Sequence, residues 1–463
     1  MIKLLWQLAR FKSNEKKSFA KLQKLQKKKL YALLTYAYEH SDYYRKRFEA
    51  ASITAENLKN TPLSAFPTMD KATFLKNFDD LITVKDVTLE DIRRFDAEEA
   101  FDRRTYNEKY HVVHSSGSTG KPGYFIYDAS AWNSMLLGIL RGALWKMSMP
   151  QIFGLLTSGP RIAYIAATDG RYAGAMAVGD GIDGIGAQQC YIDIKAPLAQ
   201  WVKQIQEFKP NILIGYPSAI KILAELIDRG EVKVNIIRVI SCGEPLGSSL
   251  RNYLEKIFAA TVINFYGASE SLALGVETDP AEGIILFDDM NVLEATEDGL
   301  YLTCLYNFAQ PLIRYRLSDR LILQPPEAES RFPFTRARGL LGRSEDLLWF
   351  EDPLGNREFL HPLAIEGFCI EGLLDYQFRQ NGKASFEMLA EVEETALKEQ
   401  ISREMYRQMK DILAEKNLAY VAFSIQFVEQ IMPDAQTGKK KLIDKTYLQK
   451  GGLQDEKGII AGT

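Results

Sequence analysis

Apolar residues recur at helical spacing between Leu30 and Phe48 (Leu30, Leu33, Leu34, Ala37, Tyr44, Phe48), which predicts a helical N-terminal region. A second long helix is predicted over Ala129–Met147. The pattern then changes to short apolar runs alternating with amphipathic stretches. Strands are predicted at Arg161–Ala167, Gln189–Ile194, Asn211–Tyr216, Ile236–Ser241 and Thr261–Tyr266. Helices are predicted between them at Leu198–Phe208, Ser218–Arg229 and Ser248–Phe258. Strands separated by helices of this length cannot be hairpins, so the pattern implies βαβ units and a parallel sheet.

Beyond Gly275 the helical period stops. Runs at Ile284–Phe287, Val292–Thr296, Leu300–Tyr306 and Leu312–Arg316 predict an antiparallel, β-rich segment. From about Ser344 the pattern becomes α+β, with strands at Ser385–Val392 and Tyr420–Gln430 around a charged helix at Glu393–Ala414. The predicted fold is α/β, with its domain boundary close to Arg343–Asp346. A large N-terminal domain would span 1–343, with a helical lead-in over about 1–60, a βαβ core over about 105–275 and a β-rich segment over about 276–343. A small α+β domain would span 344–463.

Composition narrows this picture at a few points. A chain of 463 residues is too long for one core. A net charge of −3 argues against bulk affinity for nucleic acid. Cys190, Cys242, Cys304 and Cys369 are far apart and show no C-x-x-C spacing, which suggests neither a disulfide framework nor a zinc site and fits a reducing cytoplasm. No run of about twenty apolar residues occurs, so no membrane span is predicted. Residues 1–30 carry ten cations against the single acid Glu15. Two readings fit that segment: a lead-in helix packed on the main body, or a basic amphipathic helix in peripheral contact with the inner face of an anionic membrane.

Candidate chemistry concentrates in residues 114–123, His-Ser-Ser-Gly-Ser-Thr-Gly-Lys-Pro-Gly, between strand-like Tyr110–Val113 and Tyr124–Tyr127. Ser115, Ser116, Gly117, Ser118, Thr119, Gly120 and Lys121 combine glycines that let backbone N–H groups converge, hydroxyl donors and a point charge. That composition suits a phosphate-gripping loop, and equally a Ser/Gly-rich hairpin turn. It is not a Walker A loop, because Ser115 replaces the first glycine and Pro122 follows the lysine. Gly179–Gly184 matches G-x-G-x-x-G but lacks the following helix, and reads as a glycine-rich loop.

Four further segments follow in order. Phe265-Tyr-Gly-Ala-Ser-Glu270 ends a predicted parallel strand, where open α/β sheets place ligands. Ile313-Arg-Tyr-Arg-Leu-Ser-Asp319 puts a carboxylate at a strand end. Leu341-Gly-Arg-Ser-Glu-Asp346 sits at the predicted boundary, and Thr437-Gly-Lys-Lys-Lys441 lies in a C-terminal loop. Singly, each has a structural explanation: a core tyrosine, a capping aspartate, a surface ion pair, a solvated lysine run.

Taken together and in order, the set resembles the signature of the adenylate-forming, AMP-binding superfamily. "PLIRYRLSD", "LYALLTYAYEHSDYYRKRF", "KPNILIGYPSAI" and "SCGEPL" are similar to the phenylacetate–CoA ligase branch, including its capsular-polysaccharide-biosynthesis relatives. The resemblance runs from about residue 30 to 445. It implies that Ser115–Lys121 grip the β- and γ-phosphates of ATP, and that Gly243 and Glu244 flank one face of the adenine with Tyr266 on the other. Glu270 would ligate Mg²⁺, and Asp319 and Arg343 would bind the ribose hydroxyls. Glu345 would mark a hinge, and Lys439 would reach the α-phosphate and substrate carboxylate from a small mobile lid domain, the active site lying in the cleft beside it.

The chain departs from that pattern in places. Glu345 stands where the family usually has aspartate. The segment Trp349–His361 is bulkier and more charged than the usual glycine-rich turn lining a pantetheine tunnel. The region Gly170–Gly186 lacks the aromatic–His arrangement of an aryl-acetate pocket. The expected activity is therefore ATP-dependent activation of a small carboxylic acid as its acyl-adenylate, with CoA as one acceptor. A carrier thiol, or a sugar or amine of a polysaccharide precursor, is the alternative. An inactive nucleotide-binding relative and an ADP-forming kinase are the competing classes. His111, His114 and His361 are expected to be structural, with His114 also placed to orient the phosphate loop.

Overall fold

The computed structural model describes residues 2–97, 105–115, 122–166, 187–244, 246–319, 321–326, 330–338, 348–352, 355–360, 365, 368, 370, 372–432 and 442–444. The chain forms two compact units. The first comprises Met1–Ser115, Gly123–Tyr191 and Ile205–Gly342, and the second Ser116–Pro122, Ile192–Gln204 and Arg343–Thr463.

The first unit opens with helices at Ile2–Ser13, Phe19–His40 and Asp42–Ala50. Ser41 breaks the predicted single helical stretch. Its buried hydroxyl accepts from Tyr44 N at 3.3 Å as an N-cap and donates to Asp80 O at 3.0 Å. Leu8, Leu22, Leu33, Leu34 and Ala37 are buried, so the lead-in packs on the body of the unit. Strands β1 (His111–His114) and β2 (Tyr124–Tyr127) form an antiparallel hairpin around the candidate phosphate loop. Next come a helix at Ala129–Ala143 and one at Met149–Thr157 that the pattern did not predict. The first stops short of Met147 because Lys146 takes a left-handed φ of 61°.

The alternation that follows builds β3 (Arg161–Ala166), β4 (Gln188–Asp193), β5 (Ile212–Gly215), β6 (Arg238–Cys242) and β7 (Thr261–Ala268). Helices Leu198–Phe208, Pro217–Asp228 and Ser248–Phe258 connect the later strands. Strands β3, β5, β6 and β7 pair in parallel as the pattern requires. The sheet then changes direction. β8 (Ser271–Glu277) pairs antiparallel to β7, and β9 (Ile284–Leu286) pairs antiparallel to β8. β10 (Asn291–Thr296), β11 (Gly299–Cys304) and β12 (Tyr315–Leu317) form a separate antiparallel sheet. With β13 (Ile322–Gln324) and β14 (Arg336–Arg338), the main sheet has nine strands in the order β13-β14-β9-β8-β7-β6-β5-β3-β4.

The predicted strand at Leu312–Arg316 is displaced to β12. Arg314 sits at φ 49° and turns its guanidinium inward to Glu294 at 3.0 Å and to the carbonyls of Ser64 and Phe66. Helix 129–143 lies close on the sheet through Gly142, where a Cβ would stand 2.3 Å from the Phe265 ring. Beside it Arg141 and Asp289, both fully buried, pair at 2.7 and 2.9 Å. Asn14 and Lys29 add bonds to Asp289, so the N-terminal helices close over this ion pair.

The second unit contains the hairpin β15 (Leu348–Glu351) and β16 (Arg357–Leu360). Its main sheet has four strands, β17 (Leu373–Gly382), β18 (Ser385–Val392), β19 (Ala422–Val428) and β20 (Ile443–Asp444), in the order β19-β18-β17-β20. Helix Lys398–Glu415 buries Ile401, Met405, Met409 and Leu413 at i, i+4, i+8 and i+12. It starts five residues later than predicted, because Glu393 N bonds Gly372 O and Thr395–Leu397 form a 3-10 turn first. Fully buried Lys416, after that helix, bonds Glu358 at 3.3 Å and Ala196 O at 2.8 Å. Burial lowers its pKa to about 8.

Candidate active site

The turn between β7 and β8 carries Ser269 and Glu270 at the C-terminal end of a parallel strand. The buried Tyr127 hydroxyl pins this turn by donating to the carbonyls of Ser269 at 3.3 Å and Glu270 at 3.1 Å. Burial raises the pKa of the Glu270 carboxyl, and nearby Asp319 pushes the same way, while Lys71 and a hydrogen bond from the Tyr315 hydroxyl oppose it. Tyr266 donates its hydroxyl to Asp319 Oδ2 at 3.0 Å. Burial, and then Asp319, hold that phenol well above its usual range.

Ser115 directly follows β1. Its hydroxyl oxygen accepts from Gly123 N at 2.8 Å, and the backbone returns a bond from Ser115 N to Gly123 O at 2.9 Å. Lys71 Nζ donates to the same Ser115 oxygen at 3.3 Å. The structure thus brings Ser115, Tyr266, Glu270 and Asp319 into one constellation around a lysine that the motifs did not reveal. A local signal for it existed. Asp70 caps the helix Lys71–Lys76 by accepting from Thr73 N at 2.8 Å, so Lys71 occupies the first helical position, where the dipole disfavours a cation. A lysine there suggests an anion to meet.

Gly243 and Glu244 follow β6 on the neighbouring strand end. Gly243 has φ 83°, and a Cβ on it would approach the Tyr216 ring to 2.6 Å, so this backbone and ring demand glycine. Glu244 is held by Ser218, whose N and hydroxyl donate to its two oxygens at 3.1 and 2.9 Å. His114, at the end of β1, places Nδ1 3.0 Å from both oxygens of Asp96. His111 stacks on Trp132 at 4.3 Å, a packing role. Ser116–Lys121, the Gly179–Gly184 loop, Arg343, Glu345, His361, Cys369 and Lys439 lie outside the described residues.

The residues present fit a nucleotide and a divalent cation. A Mg²⁺ ion that keeps waters and phosphate oxygens needs only one or two protein carboxylates, and Glu270 with Asp319 nearby supplies acidic oxygens beside a phosphate-loop serine. Among the described residues no cluster of three or more His, Cys, Asp or Glu side chains forms a closed metal cage.

Comparison with known proteins agrees with this geometry. The AMP-binding enzyme family matches residues 181–289. Over that stretch the chain is similar to the adenylate-forming, AMP-binding enzymes. Among known proteins it is similar to phenylacetate–coenzyme A ligases and to protein CapK. It is 26% identical over 359 residues to the phenylacetate–coenzyme A ligase of Aromatoleum evansii, covering 72% of this chain and 73% of that protein. It is 23% identical over 261 residues to protein CapK of Staphylococcus aureus, covering 53% of this chain and 55% of that protein. The fold resembles that of 2-hydroxyisobutyryl-CoA ligase in complex with 2-HIB-AMP and CoA in the thioesterification state. The TM-score is 0.59 at 18% identity, over 93% of this chain and 91% of that one.

Proposed function

We propose that this enzyme activates a small carboxylic acid with ATP and passes the acyl group to CoA. In the first step a substrate carboxylate oxygen attacks the α-phosphorus, the bond to the β-phosphate oxygen breaks, and pyrophosphate leaves. In the second the thiol sulfur attacks the acyl carbonyl, loses its proton, and AMP departs. Both reactants of the first step are anions, so the site must neutralise charge as it builds on the equatorial oxygens. Mg²⁺, when bound, supplies part of that neutralisation, and Glu270 is the residue assigned to hold it. Lys71 and Ser115 are assigned to the β- and γ-phosphates beside residues 116–121. Asp319, oriented by Tyr266, is assigned to the ribose hydroxyls together with Arg343. Gly243, Glu244 and Tyr266 are assigned to the adenine, and Lys439 to the α-phosphate from a lid domain that pivots at Glu345.

The observation that carries this reading is the convergence of Lys71, Ser115, Glu270, Asp319 and Tyr266 at the end of β7. The test is pyrophosphate release from ATP over a panel of aryl, fatty and hydroxy acids, with and without CoA. Acid-dependent release is expected with Lys439 intact and lost in Lys439→Ala. ADP as product would overturn the reading.

One observation favours a different acceptor. β15 pairs with β16 from Leu348↔Leu360 to Glu351↔Arg357 and carries Trp349, Glu351 and Glu358 where the family usually has a glycine-rich segment. A sugar or amine acceptor of surface-polysaccharide assembly suits that bulk and charge. If CoA leaves turnover unchanged while hydroxylamine or an amino sugar accelerates it, this second reading replaces the thioester step.

A further inference from the structure

The ten cations of the first thirty residues have divided roles. Lys12 pairs with Glu15 at 3.2 Å, and Lys29 donates to Asp289 O at 2.6 Å. Gln26 donates to Asn291 O at 3.0 Å from the same helix face as Lys29, and Leu22, Leu33 and Ala37 bury that face. The inner side of helix 19–40 is therefore committed to the protein. On the opposite side Lys21, Lys24 and Lys28 recur at i, i+3 and i+7, all exposed, with Lys27 beside them and Tyr31 completing the stripe at 38% exposure. Lys59 sits over the Tyr31 ring at 5.6 Å. The preceding helix repeats the arrangement. Leu8 is buried, while Trp6, at 64% exposure, and Arg10 form the outer stripe that leads to exposed Lys16. Glu15 is already paired, and no other acid occurs before Glu39.

We infer that this outer face docks reversibly on an anionic lipid bilayer. The chain as a whole is net −3, so a stretch of 38 residues with six exposed cations and no exposed acid before Glu39 is a local segregation of charge. Five of the six are lysines, point charges on flexible stems that match a diffuse, mobile headgroup layer better than a geometrically fixed phosphate or carboxylate. Two exposed aromatics, Trp6 and Tyr31, occur on the same pair of helices, and such side chains settle at headgroup depth. Among the described residues no helix is long and apolar enough to cross a membrane, so attachment through this face is electrostatic and interfacial. None of these residues belongs to the nucleotide site, so the inference stands apart from the adenylation reading.

The test is co-sedimentation of the full-length protein with phosphatidylcholine vesicles with and without phosphatidylglycerol, at low and high salt. Binding is expected only with the anionic lipid, reversed by salt, and about a hundredfold weaker in Lys21→Glu/Lys24→Glu/Lys28→Glu at an unchanged melting temperature. Trp6 is expected to be quenched by brominated lipid, an effect lost in Trp6→Phe. Equal binding to neutral vesicles, or full retention of the triple variant, would overturn the inference. So would capture on immobilised polyglutamate with none on vesicles, which would assign the face to an acidic protein.

Discussion

Glu270 is a carboxyl whose surroundings work against its charge. Burial and Asp319 raise its folded-state pKa, and Lys71 recovers only part of that cost. A carboxyl raised in this way adds stability below its unfolded pKa and loses it as pH rises through the folded value. At neutral pH, without nucleotide, Glu270 is therefore a cost to the fold. Glu270→Gln is expected to melt at the same or a higher temperature than wild type at pH 7, while Mg²⁺-dependent pyrophosphate release falls by about 10²–10³. A lower melting temperature with activity intact would make Glu270 structural. Lys71→Met is expected to raise the KM for ATP and lower the rate about tenfold to a hundredfold, with Lys71→Arg restoring part of it. An unchanged KM in steady-state kinetics would remove Lys71 from the phosphate site. Tyr266, Glu270 and Asp319 were legible in the sequence because each closes a strand inside a recognisable motif. Lys71 was not, because it meets them only through tertiary packing from a six-residue helix some two hundred positions away in the chain.

Two elements carry constraints that a single methyl group exposes. Helix 129–143 approaches β7 so closely at Gly142 that Gly142→Ala must displace the Phe265 ring. The expected loss is about 1–3 kcal/mol, read by denaturant unfolding. Gly243→Ala combines a left-handed backbone with a clash on Tyr216 and is expected to cost about 1–3 kcal/mol and to weaken AMP binding more than it lowers the melting temperature. Normal AMP affinity in calorimetry would separate this strand end from the nucleotide. Helices Leu198–Phe208 and Ser248–Phe258 were legible to the residue, because their apolar period is clean. β8 was missed because Ser271–Glu277 alternates Leu272, Leu274 and Val276 with small residues and not with polar ones, and its pairing with β7 settles the strand. β12 moved because Arg314 gains more from Glu294 and two carbonyls than from continuing a strand.

At the scale of the molecule, the N-terminal helices close over a buried ion pair within the first unit. Arg141→Met leaves the buried Asp289 without its paired guanidinium, beside only Asn14 and Lys29, and is expected to cost about 3–5 kcal/mol without altering the KM for ATP. The parallel pairing of β3, β5, β6 and β7 could be read from periodicity, because helix length between strands dictates it. The reversal to antiparallel pairing at β8 needed the fold itself. The chemistry at the end of β7 is decided by the nucleotide product. ATP, Mg²⁺ and each acid of the panel would be incubated with wild type and with the Glu270→Gln and Lys439→Ala variants, and the products resolved by chromatography. The account predicts AMP and pyrophosphate in equal amounts, dependent on one class of acid and lost in both variants. ADP, or AMP formed equally well by both variants, would contradict it.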